Sequence, residues 1–305
     1  MFDFYDTEAI PCFGVAGNFT GHLEQAGEAV DFANVKTKTA DAPKAVFPTY
    51  IPSLAGSQDS SCSNSHTSAL DSPSSETSGS TPDFLKIFPF SSDKIIFPCG
   101  EEKLQIEPEC AIIFEAEWKN GNLVFLKPLC FGASNDCSIR KAGARKISEK
   151  KNWGKCSKGF AKKLIFTEGF EPGSDFDRYR IASFLIRNGE IYSYGENSAI
   201  KDYSYFYKRL TDWLIEKFNF QKNEGPAEDI YSYLAGCNFP KKIMVSVGAT
   251  RYTQWGEHNF LQSGDVSAVI LYPEDKYSDS EIKALLLSNQ LEKEGISALI
   301  QTVQI

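Results

Sequence analysis

The stretch that most constrains the fold is residues 106–160, where three polar pieces sit in apolar, strand-forming sequence. They are Glu107-Pro108-Glu109, then Ser134-Asn135-Asp136-Cys137-Ser138-Ile139-Arg140, then Ser157-Lys158-Gly159-Phe160. Glu107 and Glu109 are two positions apart, so on a strand they point to the same face. The apolar run that follows, Cys110 through Phe114, predicts that strand. It continues into a hairpin whose turn is Asn120-Gly121. Two same-face carboxylates on one strand, with Asp136 brought in by a later one, make an open all-oxygen site. Such a site suits a hard divalent cation such as Mg²⁺. The competing reading of Glu107 and Glu109 is a solvated polar strand face. A second acidic pair, Glu115 and Glu117, flanks the turn and is expected to be solvated.

Glu-x-Glu, Asn-Asp-x-Ser-x-Arg and Lys-Gly-Phe, in this order and at about this spacing, resemble the core of the fumarylacetoacetate hydrolase superfamily. In that family the first two pieces bind Mg²⁺ or Mn²⁺, and the Lys faces the substrate. The resemblance implies Glu107, Glu109 and Asp136 as metal ligands, with Mg²⁺ (or Mn²⁺) as cofactor. It implies Lys158 as the active-site cation and Arg140 as a substrate-binding residue. The family fold is a mixed-β roll with few helices, usually dimeric. The strand and helix signals here agree with a β-rich α+β class.

A second resemblance lies at Gly17-Asn18-Phe19-Thr20-Gly21-His22. Many members carry Gly-x-Asn-Tyr-x-x-His-x-x-Glu, whose His and Glu activate a water from a lid helix. Asn18, Phe19 and His22 fall on that pattern, but Gln25 stands where the Glu belongs. Gln has no titrating group. Glu24 lies at i+2, off the helical face of His22. Either His22 pairs with Glu24 in a non-helical loop, or the dyad is broken and His22 is a structural histidine. No Lys stands near Thr49 or Ile51, where the family often has a substrate-facing one. Gly248 matches the family's Thr-Gly-Thr-Pro, and Thr250 is the candidate to supply its hydroxyl. Both are expected to touch substrate.

The remaining sequence sets the frame. With 305 residues, 42% of them hydrophobic, the chain can bury a sizeable core. A net charge of −8 argues against nucleic acid as partner. No apolar run approaches the roughly 20 residues that span a bilayer, and the acidic start lacks a signal peptide's basic region. A cytoplasmic protein is expected, acting on a small anionic carbonyl substrate and forming a homodimer. The eight cysteines show no zinc-type spacing and are expected to be reduced. The expected organisation is an N-terminal segment over residues 1–84, a catalytic domain over 85–275, and a C-terminal helix and strand over 276–305. The first segment includes a Ser-rich surface loop over 54–83. Residues 141–163 are basic, and they read either as a solvated face or as a positive rim that draws in an anionic substrate. A helix is expected over residues 202–219, N-capped by Asp202, with Phe206, Leu210, Trp213, Leu214 and Phe218 facing the core.

The expected activity is metal-dependent chemistry on a 2-oxo-carboxylate or 1,3-dicarbonyl through a metal-bound enolate. Hydrolysis of a C–C bond would use His22, Glu24 and Lys158. The missing His-x-x-Glu moves weight toward decarboxylation or tautomerisation. The alternative is a protein that keeps the fold and an anion pocket without catalysis.

Overall fold

A computed structural model describes residues 3–53, 81–141 and 143–305. Most of the Ser-rich segment, with Cys62 and His66, lies outside the described residues. The chain begins with β1 (Cys12–Ala16), α1 (His22–Gln25) and β2 (Ala45–Tyr50). Next come β3 (Phe90–Ser91), β4 (Lys94–Ile96), β5 (Leu104–Gln105), β6 (Pro108–Lys119) and β7 (Asn122–Asn135). Then follow β8 (Ser138–Ile139), β9 (Lys158–Phe160), β10 (Ile165–Phe166), β11 (Tyr179–Arg187) and β12 (Glu190–Ala199). The last part holds α2 (Tyr207–Phe220), α3 (Ile230–Gly236), β13 (Lys242–Ser246), α4 (Gln254–His258), β14 (Val266–Pro273), α5 (Asp279–Leu287) and β15 (Ser297–Gln304).

One sheet runs β2-β1-β13-β6-β7-β9-β3, with β10 also on β7; a second runs β12-β11-β14-β15-β4. The small pair β5-β8 stands apart. The fold is therefore β-rich α+β, as the sequence predicts. The N-terminal segment supplies β1 and β2 to the first sheet, and the C-terminal extension inserts β15 between β14 and β4.

The hairpin of β6 and β7 is the spine. Asn120 and Gly121 both have positive φ (53° and 77°), the conformation that favours Asn-Gly in a two-residue hairpin turn. Asn188 and Gly189 repeat the device between β11 and β12. The first seven residues of β6 are buried on both faces, which explains the unbroken apolar run from Cys110 through Phe114. Beyond Phe114 one face opens, and Glu115 and Glu117 are exposed as expected. The two sheets meet through Phe131 of β7, which stacks on Phe176 at 4.3 Å and meets Tyr179 edge-on at 5.0 Å. Each such fully buried aromatic contributes about 2–3 kcal/mol of apolar transfer.

The expected stripe on α2 is buried throughout. Its start differs, because Asp202 closes a short 3-10 turn rather than capping the helix. Asn18 is the cause. Its carbonyl accepts from Ser204 N and its Oδ1 from Tyr205 N, holding residues 203–206 out of the helix. Ser278 and Glu281 form a capping box at the start of α5, which ends at Leu287. No helix among the described residues is long and apolar enough to cross a membrane.

Gly159 shows why the Lys-Gly-Phe piece needs its glycine. A Cβ there would lie 2.3 Å from Gln301 Oε1 and 2.6 Å from Leu299 Cδ2. Gln301 is itself buried and accepts from Asn135 Nδ2 at 3.0 Å, so it cannot swing away freely. Gly159→Ala is expected to destabilise the chain by about 1–3 kcal/mol in urea unfolding. An unchanged midpoint would show that β15 yields at this contact.

Candidate active site

The site is built by the register of β6 on β7. Pro108 faces Asn135 and Glu109 faces Ser134. Glu107 N donates to Asn135 Oδ1 (3.1 Å), and Asp136 N donates to Glu107 O (3.1 Å). These pairings set Asp136 beside the two same-face glutamates. One carboxylate oxygen from each of Glu107, Glu109 and Asp136 lies within 4.8 Å of the others. The three residues are only 3%, 1% and 2% exposed, which removes the solvated-face reading. The donor set is that of a hard divalent cation, and these three carboxylates could hold one.

Four buried cations answer the buried carboxylates. Lys151 Nζ bridges Glu107 Oε2 (2.6 Å) and Asp136 Oδ2 (2.8 Å). Lys158 Nζ meets Asp136 Oδ1 at 2.9 Å, donates to the Cys137 carbonyl, and lies over the Trp153 ring at 5.4 Å. Arg140 reaches Glu107 Oε1 (2.8 Å) and Glu28 Oε1 (2.7 Å), and donates to Gln105 Oε1 and Tyr252 Oη (2.7 Å each). Lys150 Nζ completes the set on Glu28 Oε1 (3.0 Å) and Asp31 Oδ2 (2.9 Å). Among the described residues no cation pairs with Glu109, whose Oε2 accepts the Gly248 N–H at 3.0 Å.

The charges respond accordingly. Burial alone would raise the Glu107 carboxyl, but Lys151 and Arg140 outweigh it and hold it well below the usual range. Burial pushes the Glu109 carboxyl well above its usual range, and the neighbouring Asp136 and Glu107 add to that. Burial would lower Lys151, but Asp136 and Glu107 raise it, keeping it an ammonium. Lys158 is lowered, first by burial and then by Lys151. His22 is lowered mainly by burial and is a neutral imidazole. It packs against Tyr252 with ring centres 5.1 Å apart, and its Nδ1 has no partner.

A cavity of about 10 Å³ remains, room for about one water. Its lining includes His22, Glu28, Glu107, Glu109 and Lys151. Gly248 has φ 119°, and a Cβ there would press on Asn18 Cβ at 3.0 Å. Thr250 is buried with its Oγ1 unpartnered.

The structure thus brings together Glu107, Glu109, Asp136, Arg140, Lys158, His22 and Gly248. It does not bring in Glu24, which is exposed while His22 is buried. His22 begins α1 and Glu24 lies two residues on, so the two cannot share a face. Gln25 is committed elsewhere, exchanging both amide hydrogen bonds with the backbone of Tyr252 (2.9 and 3.1 Å). Three residues at the site escape sequence reasoning. Glu28 is the buried carboxylate near His22, and Lys150 and Lys151 come from the basic run read as solvated. The adjacent lysines before Asn152-Trp153 were the only available signal, and nothing in their spacing separates them from surface charge. The seven described cysteines are free, as expected.

Comparison with known proteins accords with this architecture. The profile of a family described as "Family of unknown function (DUF5718)" matches residues 28–303, and the chain belongs to that family. No curated protein sequence matches. Among solved structures, an inhibitor-bound Cg1458 is similar at 12% identity, covering 96% of this chain and 76% of that one, with TM-score 0.53. A 2-keto-3-deoxyarabinonate dehydratase is similar at 13% identity, covering 96% and 72%, with TM-score 0.50. The fold is that of the fumarylacetoacetate hydrolase superfamily.

The turn carrying Lys150 and Lys151 rests on another buried acid. Glu228 Oε1 accepts from Ser148 Oγ (3.0 Å) and Tyr233 Oη (3.3 Å), and burial pushes its carboxyl up to about 7. From its ordinary 4.5 to about 7 the folded chain holds a proton that the unfolded chain has lost. Its contribution is therefore complete below the lower value and lost as pH rises through the upper one. Glu228→Gln is expected to stabilise the chain relative to wild type at pH 8 by up to about 3 kcal/mol, and by less at pH 5.5. Urea unfolding at both pH values decides; an equal difference at the two would contradict it.

Proposed function

We propose that this DUF5718-family chain is an enzyme of lyase or isomerase type acting on a small anionic carbonyl compound, a 2-oxo-carboxylate or a 1,3-dicarbonyl. The observation that carries this is the convergence of three buried carboxylates with Lys158 and Arg140 at one end of the β6–β7 hairpin. One similar structure is a dehydratase of a keto acid, which supports the substrate class. Glu107, Glu109 and Asp136 are the residues that would hold Mg²⁺ or Mn²⁺; such an ion, when bound, supplies Lewis-acid polarisation of the carbonyl oxygen.

The chain's own groups do the rest. Lys158 would place positive charge beside the developing enolate oxygen in a site that excludes water. Arg140 takes a substrate carboxylate only by exchanging it for Glu28, whose carboxylate now fills that end of the guanidinium. Gly248 and Thr250 would bound the substrate from the β13 side. Gln25 stands where the family's dyad places its acid and Glu24 is exposed, away from buried His22, so enolate chemistry without an attacking water fits better than hydrolysis.

A second reading is favoured by one observation. Both oxygens of Glu107 and both of Asp136 already meet a cation. A catalytically silent protein that holds a small anion would need nothing more. Solvent exchange separates the two. Oxaloacetate, pyruvate and acylpyruvates incubated with the chain in D₂O, with and without Mn²⁺, are expected to show catalysed loss of the proton signal α to the ketone, by NMR. Lys158→Met is expected to slow that exchange at least about 100-fold. Exchange no faster than in buffer, across the whole panel, would favour the silent reading.

A further inference from the structure

We propose that the Lys151 ammonium and a divalent cation are mutually exclusive occupants of the Glu107–Glu109–Asp136 cage, so that the closed chain carries its own cation. This rests on the reading of the three carboxylates as a cation cage.

Lys151 Nζ lies within hydrogen-bond distance of Glu107 Oε2 and Asp136 Oδ2, two of the three carboxylates that would ligate an ion. An ion on those same oxygens needs the space Nζ fills, and it would face a full positive charge at contact distance. The remaining cavity, about 10 Å³, has room for about one water. The third carboxylate, Glu109, accepts the Gly248 N–H. With Arg140 on Glu107 Oε1 and Lys158 on Asp136 Oδ1, both oxygens of each of these two carboxylates already meet a cation.

Lys151 is seated by its neighbours on both sides. Before it, Ile147 is buried in a cluster with Ala16, Leu23, Phe32 and Phe47. After it, Asn152 Nδ2 donates to the Thr49 and Ile87 carbonyls (2.9 and 3.1 Å), and Trp153 Nε1 donates to Ile96 O at 2.9 Å. Lys151 Nζ itself sits 5.3 Å from the centre of the Phe47 ring. A side chain only 3% exposed and pinned at both flanks is a built component of the site. Ion loading therefore requires residues 147–151 to move, and Lys150, bound to Glu28, ties that movement to the segment carrying His22 and Glu28.

The test titrates Mn²⁺ into the full-length wild type, Lys151→Met, Lys151→Gln, and Lys151→Met combined with Glu109→Gln. Binding is read by electron paramagnetic resonance of free Mn²⁺ and by melting temperature with and without the ion. The expected result is one Mn²⁺ bound at least about tenfold more tightly by Lys151→Met than by wild type. Mn²⁺ should also raise the melting temperature of the variant more than that of wild type, and Glu109→Gln should remove the gain. Lys151→Gln, which keeps a donor for Glu107 and Asp136, decides the matter if Lys151→Met does not fold. Equal binding by wild type and the folded Lys151 variant would overturn exclusivity while leaving the cage intact. No binding by any folded chain would overturn both the exclusivity and the cage.

Discussion

Everything at the site follows from putting three carboxylates where water cannot reach them. The β6–β7 register places Glu107 and Glu109 against Asp136 inside the first sheet. Burying an ionised carboxylate costs several kcal/mol unless a cation and hydrogen bonds answer it. The chain answers with Arg140, Lys151 and Lys158 on Glu107 and Asp136, while Glu109 accepts the Gly248 N–H. Breaking one partner of such a cluster is costly, typically about 3–5 kcal/mol, because the other charge is stranded. The cluster therefore fixes conformation as much as it offers chemistry.

The same network closes the site. Glu28 ties the segment after α1 to Arg140 and Lys150, and Lys151 fills the cage below. Glu28 occupies the end of Arg140 that a substrate carboxylate would need, and Lys151 occupies the place a cation would need. Opening exchanges internal charges for external ones of the same sign, so its electrostatic cost is partly offset by what enters.

Much of this was legible in the sequence because local rules carry it. Strand alternation put Glu107 and Glu109 on one face, and two Asn-Gly pairs marked the hairpins. Helical spacing found the buried stripe of α2. The rest was illegible because tertiary contacts decide it. Asp202 looks like a helix cap, but Asn18, nearly two hundred positions earlier, captures the backbone of Ser204 and Tyr205. Glu24 looks closer to His22 than Glu28 does, yet only Glu28 turns inward. Lys150 and Lys151 are indistinguishable from solvated lysines until the acids they neutralise are located in space.

The central claim is that one cation position exists in the cage and that Lys151 holds it. The direct measurement is a crystal structure of the wild-type chain grown with millimolar Mn²⁺, with anomalous scattering collected at the manganese edge. The account predicts either no anomalous peak among Glu107, Glu109 and Asp136 with Lys151 Nζ between Glu107 and Asp136, or a peak with Lys151 displaced. A peak on the three carboxylates with Lys151 still in contact with Glu107 and Asp136 would contradict it.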